Sequence, residues 1–272
     1  MPLTILALMA QAAETTQTLA YHPPLWIYPV LTAVAMITGF VDSVAGGGGL
    51  IMMPVLFTLG LPPHITLGTN KLQSMCGTAM ATFRYYRAGL FTLSGNLALL
   101  GVTFAGALAG TLTIQHFDGR VLALVVPVLL IGVSLYTVLS PRMDDTDRHD
   151  RVGQRGFLPV ASAIGFYDGF FGPGTGQFFT TGLVALRGLG LTRATGLTKL
   201  LNLTSNLAGV ILFALGGQIL WVLALCMACG SMCGAWMGTH FATRLGARLI
   251  RPLLITVSLG LTGRLLWGWF AG

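Results

Sequence analysis

The sequence predicts an all-α polytopic membrane protein made of two homologous halves, and three observations carry that reading. First, Lys, Arg, Asp and Glu make up 8% of the 272 residues, hydrophobic residues 54%, and the mean hydropathy is +0.78. An ordinary soluble domain is about 25% charged. A chain this poor in charge cannot cover a water-facing surface, which excludes a soluble globular enzyme and a disordered protein. The net charge of +7 does not point to nucleic acid, because the arginines lie between apolar segments rather than in one patch. Second, apolar stretches cover 25–60, 70–88, 92–115, 121–139, 157–186, 194–215, 219–242 and 250–270, and a helix needs about 20 such residues to span a bilayer. Third, the chain repeats itself.

Gly39-Phe40-Val41-Asp42 recurs as Gly165-Phe166-Tyr167-Asp168, and Gly46-Gly47-Gly48 as Gly172-Pro173-Gly174, at an offset of 126. From there the offset is 128: Gly68 matches Gly196, Lys71 matches Lys199, Gly89 matches Gly217, the stretch 106–111 matches 234–239, and Arg120 matches Arg248. The organisation is then an N-terminal tail (1–24), a first repeat (25–139), a linker (140–156) and a second repeat (157–272). Internal duplication is typical of transporters, whose sites lie between the repeats near the bilayer midplane.

Taken in order, the tail begins MPLTILALMAQAAETTQ. It has the outline of a signal peptide without the basic start, and a translocated N-terminus explains it equally well. The first repeat opens on an over-long apolar unit, 25–60, broken by DSVAGGGG at 42–49. The second opens on 157–186, broken by DGFFGPGTG at 168–176, and is too short for two full spans. Two half-helices meeting at the glycines fit each unit. Broken backbone at membrane depth is tolerated only where it is buried or lines a wet cavity. The linker carries Arg142, Arg148, Arg151 and Arg155 and is placed in the cytoplasm. If the broken units return rather than cross, Arg84, Arg87, Arg187, Arg193, Arg244, Arg248 and Arg251 also fall inside and only Arg120 outside, as the positive-inside rule favours. Each half then has three full spans and one re-entrant hairpin, and the halves are inverted. Eight crossings with parallel repeats is the alternative.

The only lysines, Lys71 and Lys199, occupy equivalent positions, as do Asp42 and Asp168; every other acid lies in a tail or loop. A charge at mid-bilayer costs roughly 2.5–3.5 kcal/mol or more, so four of them need a reason. Each Asp either pairs with a Lys, or caps the half-helix after its glycine run, or carries a coupling ion. Each lysine is a compact point charge suited to an oxyanion. Lys199, Asn202 and Asn206 share one helical face, mirrored by Lys71, Ser74 and Thr78, with Thr69, Asn70, Gln73, Thr198 and Ser205 nearby. Such residues also serve as interhelical hydrogen bonds. The glycine runs Gly46, Gly47, Gly48, Gly49 and Gly172, Gly174 precede apolar stretches, where backbone N–H groups and the helix dipole attract anions, and Thr175 adds a hydroxyl. Glycines there also simply let a hairpin turn.

Other features carry less. Cys226, Cys229 and Cys233 share a helical face that could hold a soft metal, but free Cys is usually a small buried apolar residue. Arg84 and Arg87 with Tyr85 and Tyr86 read as interfacial anchors, and GAxxGT at 106–111 and 234–239 as close helix packing. No Walker motif, nucleophile elbow or triad is present. The expectation is no enzyme, no cofactor and no metal.

The stretch 39–74, with 165–179 and 194–209, resembles the two signatures of the sulfite exporter TauE/SafE family, over nearly all of 25–270; Pro173 falls within the second signature's pattern. The resemblance implies a multi-pass permease of the inner (cytoplasmic) membrane that exports sulfite or a small organosulfonate such as sulfoacetate, by alternating movement of its halves. Its partners would be a small anion and the lipid bilayer, with no nucleic acid and with a homodimer as the assembly. With the interior negative, anion export is favoured by about 2.3 kcal/mol per charge per 100 mV. Left open are an ion-coupled transporter of sulfate, a carboxylate or a metal ion, and a membrane scaffold.

Overall fold

A computed structural model describes residues 24–117 and 144–246. The N-terminal tail to residue 23, the apolar stretches 121–139 and 250–270, and Asp118, Arg120, Arg142, Arg248 and Arg251 lie outside the described residues. All regular structure described is helical. The helices are α1 (Ile27–Ala45), α2 (Gly48–Phe57), α3 (Pro63–Arg87), α4 (Leu97–Gln115), α5 (Gly153–Phe170), α6 (Thr175–Arg187), α7 (Leu191–Leu215) and α8 (Trp221–Leu245), with a 3₁₀ turn at Ser94–Asn96. Among the described residues, four segments are long and apolar enough to cross a bilayer: Ile27–Ala45, Ser94–Gln115, Leu191–Leu215 and Trp221–Leu245.

Each broken apolar unit folds as two helices, but with unequal arms rather than two halves. The 19 residues of α1 reach about 28 Å and the 10 of α2 about 15 Å at 1.5 Å per residue. The pair α5 and α6 repeats this with 18 and 13 residues. The break after α1 is made by Gly46, whose left-handed φ of 76° lets its N–H cap the Asp42 carbonyl. The break before α6 uses Gly174 at φ 84°. Because Gly47 and Gly174 are the residues that immediately precede α2 and α6, Pro173 is the first of two residues by which the offset grows, and the second falls between α2 and Gly68. Pro62 and Pro63 open α3, where a missing N–H costs nothing. The last residues of the 140–156 linker are already helical, since α5 starts at Gly153.

The packing exchanges partners between the halves. Helix α1 lies against α8, and its counterpart α5 lies against α4, the counterpart of α8; α3 and α7 cross at the centre. Glycines bring these helices to backbone contact. A Cβ on Gly39 would overlap the backbone of Ser231, and one on Gly165 that of Thr103, its equivalent; Gly106 and Gly234 press on the carbonyls of Ser162 and Met36, which are again equivalent. The GAxxGT stretches therefore pack as the sequence suggests. Two matching cores result. Leu31, Ala35, Met52, Leu56 and Met227 are buried together, and so are their counterparts Phe157, Ala161, Phe179, Leu183 and Leu99. The first core joins α1, α2 and α3 to α8 of the other half, and the second joins α5, α6 and α7 to α4 and also to α1, α3 and α8.

Candidate functional site

The two breaks meet at the centre of the molecule. A Cβ on Gly46 would lie 2.7 Å from the Gly176 carbonyl carbon, and one on Gly176 2.6 Å from the Gly46 Cα, so the tips touch backbone to backbone. Beside them lie the intramembrane charges, in the last turns of α1 and α5 and in the middle of α3 and α7. The pairs cross between halves. Lys71 of the first binds Asp168 of the second at 2.8 Å, and Lys199 of the second binds Asp42 of the first at 3.1 Å. Burying one such charge alone is expensive, and pairing with added hydrogen bonds offsets that cost.

Asp42 combines the pairing and capping roles, whereas Asp168 pairs with its lysine and takes two further side-chain donors. Asp42 Oδ1 accepts the Gly48 N–H at the start of α2 at 3.3 Å, and its main-chain oxygen accepts from Lys199 Nζ and from Gly46 N–H. Asp168 Oδ1 accepts from the Thr175 hydroxyl at 3.1 Å as well as from Lys71, and Oδ2 accepts from the Ser205 hydroxyl. The Asp168 side chain is 5% exposed and that of Asp42 25%.

A polar cavity lies between the tips and the central helices. It is lined by Asp42, Gly46, Gly49, Asn70, Lys71, Ser74, Thr78, Asp168, Gly172, Pro173, Gly174, Thr175, Gly176, Asn202 and Asn206. It offers about 30 Å³ to the centre of a water molecule, room for one or two waters at roughly 10–15 Å³ each. The Oδ1 atoms of Asn70 and Asn202 are buried without a hydrogen-bond partner. A carboxamide can present either end, and Asn202 Nδ2 stands 3.1 Å from where a Gly176 Cβ would be, over the first turn of α6. Gly172 and Gly209 clear space for the Lys71 head and stem.

Of the residues singled out from sequence, the cavity gathers Gly46, Gly49, Asn70, Lys71, Ser74, Gly172, Gly174, Thr175, Asn202 and Asn206. Gly47 precedes α2 outside its lining. Gly48 and Gln73 line a smaller neighbouring cavity. Thr198 bonds Thr180 at 3.1 Å, and Lys199 is fully buried beneath Asp42. The Thr175 hydroxyl is turned onto the Gly172 carbonyl and Asp168 rather than left for a ligand. Sequence reasoning missed Gly176 and Pro173, although both sit inside the quoted motif. Tyr85, expected at the interface, is fully buried, and its hydroxyl donates to the Ser43 carbonyl at 2.9 Å. Arg84 keeps an edge position, 5.2 Å from the Trp236 ring centroid and bonded to His240. Cys229 and Cys233 are exposed and Cys226 half-buried.

The linker packs on the turn between α6 and α7. Asp147 accepts the Gly190 N–H and pairs with Arg193, Asp145 accepts the Thr192 N–H, and Asp150 pairs with Arg187. These carboxylates serve the start of α7 and tie down the α6–α7 turn. The Gly190 N–H, then Arg193, holds the Asp147 carboxyl below its usual range. The Thr146 N–H and Arg148 do so for Asp144. For Asp150, desolvation works upward and is outweighed by Arg187 and the Gly153 N–H.

Comparison with known proteins agrees with this architecture. The family described as sulfite exporter TauE/SafE matches residues 31–265. A probable membrane transporter protein, ORF9, from Sinorhizobium sp. is 44% identical over 251 residues, covering 92% of this chain and 95% of the relative. The probable membrane transporter protein YfcA of Escherichia coli K12 is 40% identical over 255 residues, 93% and 94% of the two chains. A probable membrane transporter protein of Haemophilus influenzae is 40% identical over 244 residues, 89% and 96%. No solved structure matches the chain. With the family signature spanning nearly the whole described helical core and both glycine-broken helix pairs, the chain belongs to the sulfite exporter TauE/SafE family of membrane transporters.

Proposed function

We propose that the chain moves a small sulfur oxyanion, sulfite or a compact organosulfonate such as sulfoacetate, outward across the cytoplasmic membrane through the cavity between the two tips. The observation that carries this is the company kept by Lys71: a buried ammonium beside the start of α6, with the carboxamides of Asn70 and Asn202, whose oxygens have no partner, in the same cavity. Carboxamide and backbone N–H groups with one fixed cation can replace the hydration shell of a tetrahedral or pyramidal anion. The family's name supports sulfur chemistry, and the inside-negative potential favours export. Exchange-symmetric packing and the arginine distribution support halves inserted in opposite orientations.

The present cavity takes a water or two but not a sulfite, so the anion enters as the tips part. The test is thermal stability of the purified protein in detergent with sulfite, sulfoacetate, sulfate and acetate, paired with efflux from proteoliposomes. Sulfite or sulfoacetate stabilises the wild type, and Asn202→Ala and Asn206→Ala lose at least tenfold in apparent affinity, about 1.4 kcal/mol. Equal stabilisation by acetate, or full efflux in both variants, defeats the reading. Lys71→Ala is a weaker test, because it strands Asp168 in the core.

A further inference from the structure

The two copies of the site differ in what surrounds their carboxylates. Besides the main cavity, Asp42 lines a second one with Thr38, Gln73, Thr78 and Ser231. It offers about 10 Å³ to the centre of a water molecule, enough for about one water or one bare ion. Its walls present acceptors. Gln73 is 3% exposed, and its Oε1 is buried without a partner. The Thr38 hydroxyl donates to the Ala35 carbonyl at 3.2 Å, and that of Thr78 to the Ser74 carbonyl at 2.8 Å. With those protons committed, both oxygens have only lone pairs to offer. Lys199 takes Asp42 Oδ2, which leaves Oδ1 with one N–H at 3.3 Å. The carboxylate lies in the last turn of α1, where the helix dipole favours a cation.

Around Asp168 the equivalent positions carry different side chains. Ile164 and Leu201 stand at the positions of Thr38 and Gln73. Ser205 stands at the position of Gly77 and donates to the carboxylate. Protein groups satisfy Asp168, whereas Asp42 Oδ1 has one long N–H contact and Gln73 Oε1, in the same cavity wall, has no partner.

We infer that the cavity beside Asp42 binds a monovalent cation of sodium size, held by Asp42 Oδ1 and Gln73 Oε1 with the Thr38, Thr78 and Ser231 hydroxyls. A divalent ion would call for more than one carboxylate. The ion also bears on the anion next door, a consequence that rests on the function proposed above. Two lysines and two aspartates sum to zero; a buried anion alone leaves the cluster negative and a cation alone leaves it positive. Together they restore neutrality, so each raises the affinity for the other by the same factor.

The experiment measures melting of the purified full chain in sodium chloride against choline chloride at equal ionic strength and pH, with and without sulfite. Sodium raises the wild-type melting temperature without sulfite, and it tightens apparent sulfite affinity at least fivefold. Gln73→Leu and Thr38→Ile, the residues of the other half, abolish both effects. Asp42→Asn is compared as well, but the inference stands on the first two variants, which keep every charge. Equal melting in sodium and choline overturns it. So does an undiminished sodium response in Gln73→Leu, or a response that follows pH in choline instead of sodium. Sodium stabilisation without any sulfite effect leaves the cation site standing and sinks the anion assignment instead.

Discussion

Asp168 and Asp42 occupy equivalent positions of a duplicated chain, yet one is locked and the other is half free. Asp168 has Lys71, Thr175 and Ser205 as donors and almost no exposure; Asp42 has Lys199, a single long N–H contact and an open side. The difference is set one helix away, by Ser205 against Gly77 and Leu201 against Gln73. A repeat thus preserves where charges sit while the facing helix decides what each one does. A buried pair with every lone pair satisfied is rigid, and one with an unsatisfied oxygen has room for a ligand.

The comparison is broken most directly at the carboxylates. Asp168→Ala leaves Lys71 buried without a counter-charge and destabilises by about 3–5 kcal/mol. Asp42→Ala strands an equally buried Lys199, but leaves it the main-chain oxygen of residue 42 and an open side through which water can enter, so it costs less than Asp168→Ala. Equal drops in melting temperature for the two variants would erase the distinction.

Gly68 and Gly196, also equivalent, sharpen it at the level of packing. A Cβ on Gly68 would run into the Gln218 backbone carbonyl, whereas one on Gly196 would meet the Leu90 side chain at 3.1 Å. Gly68→Ala therefore costs about 1–3 kcal/mol and Gly196→Ala less, because a leucine can give where a backbone cannot. The order of their melting temperatures decides the point.

Ser205→Ala removes one donor to a buried carboxylate and costs about 1.5–3 kcal/mol. The reverse change, Gly77→Ser, brings a hydroxyl toward Asp42 but crowds Ser231. If Ser205→Ala melts with the wild type, Asp168 is not held as described.

The smallest effect is at the linker. The carboxyls of Asp144, Asp147 and Asp150 sit below their usual range. Their contribution is complete above the unfolded value of about 3.9 and is lost as pH falls through the lower folded values. Protease cleavage at Arg148 and Arg151 should rise only below about pH 4, read with an acid-stable protease after a pH pulse. Release of the linker already at neutral pH in moderate salt would show that these contacts do not hold it.

Much of this is legible in the sequence. The constant offset exposed the duplication, the glycine runs located the breaks, and two lysines in an apolar chain marked the centre. What stayed hidden was partner choice. An offset orders residues along the chain but does not say which copy faces which, so the crossing of Lys71 to Asp168 and Lys199 to Asp42 required the fold. Lys71 and Lys199 look alike in sequence, yet only Lys71 reaches the cavity, because Asp42 covers the other. Tyr85 beside two arginines has the pattern of an interfacial anchor, but the carbonyl of Ser43 near the helix break needed a donor, and its hydroxyl supplies one.

The glycine crossings that press α1 onto α8 and α4 onto α5 bear on how such a molecule can move. Helices in backbone contact along their length slide poorly and travel as one piece. The mechanical units are then not the two sequence halves but two pairs that each take one helix from either half, α1 with α8 and α4 with α5. A cut between the halves in the gene falls inside both moving bodies. Fragments expressed separately would each lack a wall of both cores, so the duplication that built the transporter also made its products inseparable.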